Sequence, residues 1–209
     1  AAVNGPAAVV FSGDRDAVAG VGERLRAAGH RVRALRVSHA FHSAAMDPVL
    51  DRFTAALDAV EWRAPTLPLY STLTGAPAGP DIAAPDYWVA QVRSTVRFGA
   101  AAAAATAAGH RLFVEVGPGA ALGAQIQQAP GDPVAVAVLR RDRTAVQTRA
   151  DVLAAAAELF VRGVRVDWAA TIPASPGRPH VDLPTYPFQH RDYWLADRPS
   201  TSGGAAALG

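Results

Sequence analysis

Two short apolar runs, Leu112–Val116 and Val134–Leu139, limit the fold of this chain more than any other feature. Neither alternates apolar with polar residues along its core, which reads as strand buried on both faces. Between them Gly117-Pro118-Gly119 turns the chain into a helix through Leu122 and Ile126. Strand, helix, strand in that order predicts an α/β layer with a mostly parallel sheet. The glycine turn also invites a phosphate-loop reading, because amides at a helix start attract anions. Pro118 removes one donor, and neither common nucleotide fingerprint is complete, so a tight structural turn is the better account.

The alternation continues on both sides. Ala7–Phe11 is a short strand-like run, and Ser12-Gly13-Asp14 opens a helix with Val18, Val21, Leu25 and Ala28 on one face, closed by Gly29. Arg31–Val37 suits a half-buried strand. Ser43 is placed to cap a helix running to about Val60, with Met46, Leu50, Phe53 and Leu57 at helical spacing. A strand is expected at Leu67–Thr72, loop over 77–85, a helix capped by Asp86, and an alanine-rich helix from Phe98 to Gly109. A last helix from Thr144 turns Val152, Leu153, Ala156, Leu159 and Phe160 inward, and Val164–Trp168 reads as a short edge strand. Beyond it, Ile172–Arg178 is proline- and glycine-rich linker. Val181–Leu195 carries Tyr186, Phe188, Tyr193 and Trp194 among prolines with no period, so its aromatics must pack on a surface elsewhere. Pro199–Gly209 reads as tether.

Composition excludes several classes. All 20 basic residues are arginines, the net charge is only +2, and no long basic run occurs, so nucleic-acid binding has little support. No apolar run approaches the ~18 residues of a membrane span. Cysteine is absent, which fits a reducing cytoplasm and rules out disulfides. The chain lacks an initiator Met and begins inside a strand-rich segment, so it reads as a piece of something longer.

Chemistry concentrates at His39-Ala40-Phe41-His42-Ser43, with Met46 four residues after the second histidine. An imidazole just ahead of a helix can take a proton from a hydroxyl nucleophile. A histidine so placed can equally be a hydrogen-bonded structural residue. His39 and His42 have ligand-like spacing, but no cysteine or carboxylate cluster completes a metal site.

The pattern His39-Ala40-Phe41-His42-Ser43 with Met46 resembles the signature of acyltransferase domains of modular polyketide synthases, relatives of the malonyl-CoA:acyl-carrier-protein transacylases. Asn4-Gly5-Pro6, Tyr87-Trp88-Val89, Val96-Arg97-Phe98 and Val114-Glu115-Val116-Gly117-Pro118-Gly119 agree in order and spacing. Leu183-Pro184-Thr185-Tyr186-Pro187-Phe188-Gln189-His190 and Tyr193-Trp194-Leu195 are similar to the linker that follows such domains.

The resemblance implies an α/β fold: the C-terminal part of an α/β-hydrolase-like acyltransferase core with half of a ferredoxin-like small subdomain. It places that half at 1–37, the core at 38–170, a post-acyltransferase linker at 171–197 and a tether at 198–209. It implies transfer of an extender unit from malonyl-CoA, through a serine ester, to the phosphopantetheine thiol of an acyl carrier protein. The chain itself would bind no cofactor or metal. Residue by residue, His42 matches the general base, and Gln91 the position whose backbone carbonyl orients that ring. His39 and Phe41 match the substrate-selecting motif in its malonyl-selective version. Asn4 matches a residue reaching the cleft, though it can equally satisfy the turn before Gly5-Pro6. No Gly-His-Ser-x-Gly elbow occurs in these residues, so His42 would be a base without its nucleophile. Expected partners are the acyl carrier protein, the rest of the acyltransferase domain, and the adjacent ketosynthase with its linker, on which the aromatic segment would dock. Nucleic acid and membrane are not expected, and the compartment would be the cytoplasm.

Overall fold

The computed structural model describes residues 1–171, 182–189, 191 and 193–194. Ala1–Thr171 and Ile172–Gly209 form two separate compact units. The expected linker at Ile172–Arg178 and tether at Pro199–Gly209 lie outside the described residues, as do Val181, His190 and Leu195.

The first unit contains strands β1 (Ala2–Gly5) to β6 (Val134–Ala137) and helices α1 (Arg15–Ala27) to α7 (Trp168–Thr171). The two apolar runs form a parallel pair: β5 (Leu112–Glu115) lies beside β6, from Leu112 opposite Val134 to Glu115 opposite Ala137. The short helix α5 (Gly123–Ile126) lies in their connection. Val136 is the most buried large side chain, at 2% exposure. Burial on both faces does not extend to β5. Val114 and Val116 share one face of the strand and stay exposed, because nothing among the described residues covers that side. The remaining strands form antiparallel hairpins, β1 with β2 (Ala8–Val10) and β3 (Tyr70–Ser71) with β4 (Ala76–Pro77).

Helix α4 (Phe98–Ala107) packs against β1, β3, β4 and α5, burying Ala101, Ala102, Ala105 and Thr106. Small side chains let backbones approach closely. A Cβ at Gly99 would stand 3.1 Å from Gly5 N and Cα, and one at Gly75 would stand 2.7 Å from Ala100 Cβ. Gly75 also has a φ of +78°, which disfavours any L side chain.

Several local expectations are corrected. Arg31–Val37 runs without a ladder partner, and a strand without a partner is not stable. The helix after Ser43 opens with a 3₁₀ turn at Ala44–Met46. It becomes α-helical only over α2 (Asp47–Leu57), where Pro48 suits the first turn but can donate no amide. Helix α3 (Pro85–Arg93) starts at its proline, not after an Asp86 cap. The 164–168 segment forms no strand; Trp168 starts α7 and meets Phe160 edge-on at 5.5 Å. Helix α6 (Ala145–Val161) has the capping box of Thr144 and Gln147, but it buries Ala155 and leaves Val152 and Phe160 exposed. In the second unit Tyr186 meets Phe188 edge-on, while Tyr193 and Trp194 are almost fully exposed. No helix among the described residues is long and apolar enough to cross a membrane.

The glycine turn after β5 holds an anion of its own. Glu115 Oε1 accepts from the Ala121 and Leu122 amides at 2.9 and 3.1 Å, and Oε2 from the Gly123 amide at 2.9 Å. The donors a phosphate would need are taken by this carboxylate. Glu115→Ala should therefore lower stability by about 2 kcal/mol, within the range for charge-assisted bonds to amides left unpaired, with Glu115→Gln intermediate. Urea unfolding of the chain would measure it; an unchanged midpoint would rule out the capping role.

Candidate active site

His42 sits in a loop tied on every side. Ser43 Oγ accepts from Ala45 N at 3.2 Å, capping the 3₁₀ turn as its position predicts, and donates to Ala40 O at 2.6 Å. Ser12 Oγ donates to Phe41 O at 2.6 Å. His42 itself has a φ of +61°, the left-handed region. Its amide donates to Val92 O at 3.1 Å.

The ring is half-buried, and its Nδ1 lies 2.8 Å from Ser94 O. A carbonyl oxygen only accepts, so Nδ1 carries the hydrogen and the neutral ring keeps its lone pair on Nε2. No hydrogen bond engages Nε2 among the described residues. The orienting carbonyl is thus that of Ser94, which corrects the assignment to Gln91. Gln91 lies inside α3, where carbonyls align with the axis, whereas Ser94 caps the helix with extended backbone (φ −83°, ψ 162°) and its carbonyl is free to turn aside. The Gln91 side chain donates from Nε2 to Thr72 Oγ1 at 3.2 Å instead.

Ser94 is held in place by the segment after it. Val3 N donates to Val96 O and Val96 N to Ala1 O, both at 2.8 Å, so residues around Val96 lie along the free edge of β1. Arg97 N donates to Thr72 O at 2.6 Å.

His42 lines an open cleft of about 420 Å³ with Leu73, Arg93, Ser94, Thr95 and Arg97. Arg93 Nε stands 2.5 Å from Asp47 Oδ1. Arg97 is exposed and forms no ion pair among the described residues. Phe41 lies beside this cleft and lines a second, apolar groove of about 350 Å³ with Met46, Val49, Phe53 and Val92. Its ring is 49% exposed and 6.4 Å from that of His42. His39 is exposed, edge-on to Phe41 at 6.0 Å, with Nδ1 2.9 Å from Ser38 Oγ; it lines neither cavity. Asn4 is half-buried on β1, where its backbone packs near Gly99, and it also lies outside both linings. The structure thus brings the rings of His39, Phe41 and His42 into one row, with only His42 lining the cleft, and leaves Asn4 outside both linings. Among the described residues no three His, Asp or Glu side chains converge as metal ligands. Sequence reasoning missed Val92, Arg93, Ser94 and Arg97; the end of a helix with its unpaired carbonyls was the available signal for Ser94.

A histidine with one nitrogen fixed by a carbonyl and the other free at a cleft has the geometry to accept a proton from a hydroxyl or thiol. Residues 1–166 match the family described as the acyl transferase domain, and the chain belongs to that family. It is 42% identical over 211 residues to the phenolphthiocerol synthesis polyketide synthase type I Pks15/1 of Mycobacterium bovis. It is 43% identical over 212 residues to the mycoketide-CoA synthase of Mycobacterium tuberculosis. All of the chain is covered in both cases, but only 10% and 5% of those relatives. Among solved structures, the acyltransferase domain from the second module of the salinomycin polyketide synthase superposes with a TM-score of 0.75 at 41% identity, over 90% of this chain and 44% of that one. The fold is accordingly the α/β fold of polyketide synthase acyltransferase domains, of which this chain is a part.

Because the His42 side chain makes a single hydrogen bond among the described residues, His42→Ala should cost about 1 kcal/mol of stability. His42→Gly, which relaxes the left-handed backbone, should be at least as stable as the alanine variant. Urea midpoints of the two variants test this, and a glycine variant markedly below the alanine one would contradict the backbone geometry.

Proposed function

We propose that this chain supplies the base-bearing part of an acyltransferase that loads malonyl from malonyl-CoA onto an acyl carrier protein. The observation that carries the reading is the His42 ring, held by Ser94 O with Nε2 free at the cleft, inside a chain of the acyl transferase family. In the first half-reaction Nε2 takes the proton of a serine hydroxyl as its oxygen attacks the thioester carbonyl. The protonated ring then gives that proton to the departing coenzyme A thiolate, leaving a malonyl-serine ester. In the second half-reaction His42 deprotonates the phosphopantetheine thiol, which attacks the ester, and the proton returns to the serine oxygen. The neutral Ser94 carbonyl keeps the ring in the right tautomer throughout. The serine belongs to a Gly-His-Ser-x-Gly elbow that these 209 residues do not contain, so the chain acts with the rest of its domain, in the cytoplasm.

Phe41 supports malonyl over branched units. A phenyl ring beside the base fills space that a substituent on the substrate's C2 would need, and one methyl group is worth roughly 10- to 200-fold in discrimination. His39 acts through Phe41, whose ring it meets edge-on. Asn4 contributes through the backbone of β1 to the wall of the domain. A docking role stands beside the catalytic one: Tyr193 and Trp194, 85% and 95% exposed, suit a segment that covers a neighbouring domain such as the ketosynthase.

Two measurements test the reading. The isolated chain should form no malonyl adduct with malonyl-CoA by intact-protein mass spectrometry, since loss of the nucleophile costs on the order of a million-fold in serine enzymes. A stable adduct on a serine of this chain would overturn it. In the complete domain His42→Ala should abolish transfer. There, Phe41→Ser with His39→Tyr should narrow the ratio of kcat/KM for malonyl-CoA over methylmalonyl-CoA; an unchanged ratio would remove Phe41 as the selector.

A further inference from the structure

We propose that Arg93 and Asp47 are positioning residues that hold His42 in its single Nδ1–H tautomer by locking the loop that carries it onto the end of α3. The catalytic consequence rests on the reading of His42 as the base; the geometric claim does not.

A non-glycine residue at a φ of +61° persists only where its surroundings over-determine it. Beside the Ser12 and Ser43 contacts, three consecutive residues at the end of α3 and its cap do this. Val92 O takes the His42 amide at 3.1 Å, and Ser94 O takes Nδ1 at 2.8 Å. Between them, Arg93 reaches to Asp47, five residues beyond His42 and the first residue of α2. The loop is therefore pinned at one end by two carbonyls and at the other by a charged pair. Met46, buried at 8% exposure, adds an apolar hold beside Asp47, and its amide donates to Ser43 O at 3.1 Å, a bond within the loop that does not tie it to α3. The pair itself is exposed, with side chains 42% and 54% accessible, so it adds little to global stability. What it fixes is distance. A slide of the loop by about 1 Å would stretch the Nδ1 contact beyond hydrogen-bond range and leave the ring free to take either tautomer.

The test reads the tautomer directly, from side-chain ¹⁵N–¹H NMR of the histidines in this chain, with His42→Gln assigning the resonance. No substrate is needed, so failure here would leave the transfer assays on His42→Ala standing. The wild-type chain should show one His42 tautomer, protonated at Nδ1. Arg93→Ala and Asp47→Asn should each lose that single signature while the thermal midpoint hardly moves. Arg93→Lys should keep it, and the exchange of Arg93→Asp with Asp47→Arg should restore it. A mixed tautomer in the wild type, or an unchanged His42 signature in both folded single variants, would overturn the proposal. Should a single variant unfold, the exchange variant decides: folded with mixed tautomers, it overturns the proposal as well.

Discussion

The close approach of α4 to β1 is the constraint on which the site depends. The helix can lie this close to the strand because Gly99 lacks a side chain, since a Cβ there would stand only 3.1 Å from the Gly5 backbone, tighter than ordinary contact. The segment leading into that helix is thereby brought alongside β1, where two backbone hydrogen bonds fix Val96. Ser94, two residues earlier, inherits its position from that edge, and its carbonyl sets the His42 ring. Steric size in one layer thus decides the orientation of a ring in another. The alanine-rich composition of α4 reads as featureless in sequence, yet it is the condition for the geometry.

What the sequence disclosed and what it withheld divide along physical lines. The parallel β5–β6 pair was legible because its information is local: two apolar runs and a helix between them. The same holds for Ser43, whose side chain bonds to an amide two residues away, and for the helix start at Thr144. Arg31–Val37 has strand composition, but a strand is a relation between two segments and composition describes only one. Helix α2 is shorter than the expected span because its first turn is 3₁₀, over Ala44–Met46, and its α-helical part runs only from Asp47 to Leu57.

The site divides in the same way. His42 was legible as a candidate from its chemistry beside a helix start, and Phe41 through the resemblance of its motif alone. The Ser94 carbonyl was not, since every residue carries a carbonyl and only the exact helix terminus tells which one turns aside. Gln91 was chosen by position and lies three residues too early, still inside the helical ladder. Arg93 has ordinary helix-end composition; its pairing across to Asp47 joins residues 46 apart. Glu115 shows the converse. A loop that resembles an anion site from its glycines is one, but the anion comes from the preceding strand.

Orientation by a backbone carbonyl has a consequence for how the site tolerates genetic change. A carboxylate partner can be lost by a single codon, whereas every non-proline residue at position 94 brings the same oxygen on the same bond geometry. The partner is therefore invisible to side-chain substitution and vulnerable only to changes that move the main chain. Selection on this contact acts at a distance, on the glycines and alanines that let α4 and β1 meet, so the residues that guard the ring's orientation are among the least reactive in the chain.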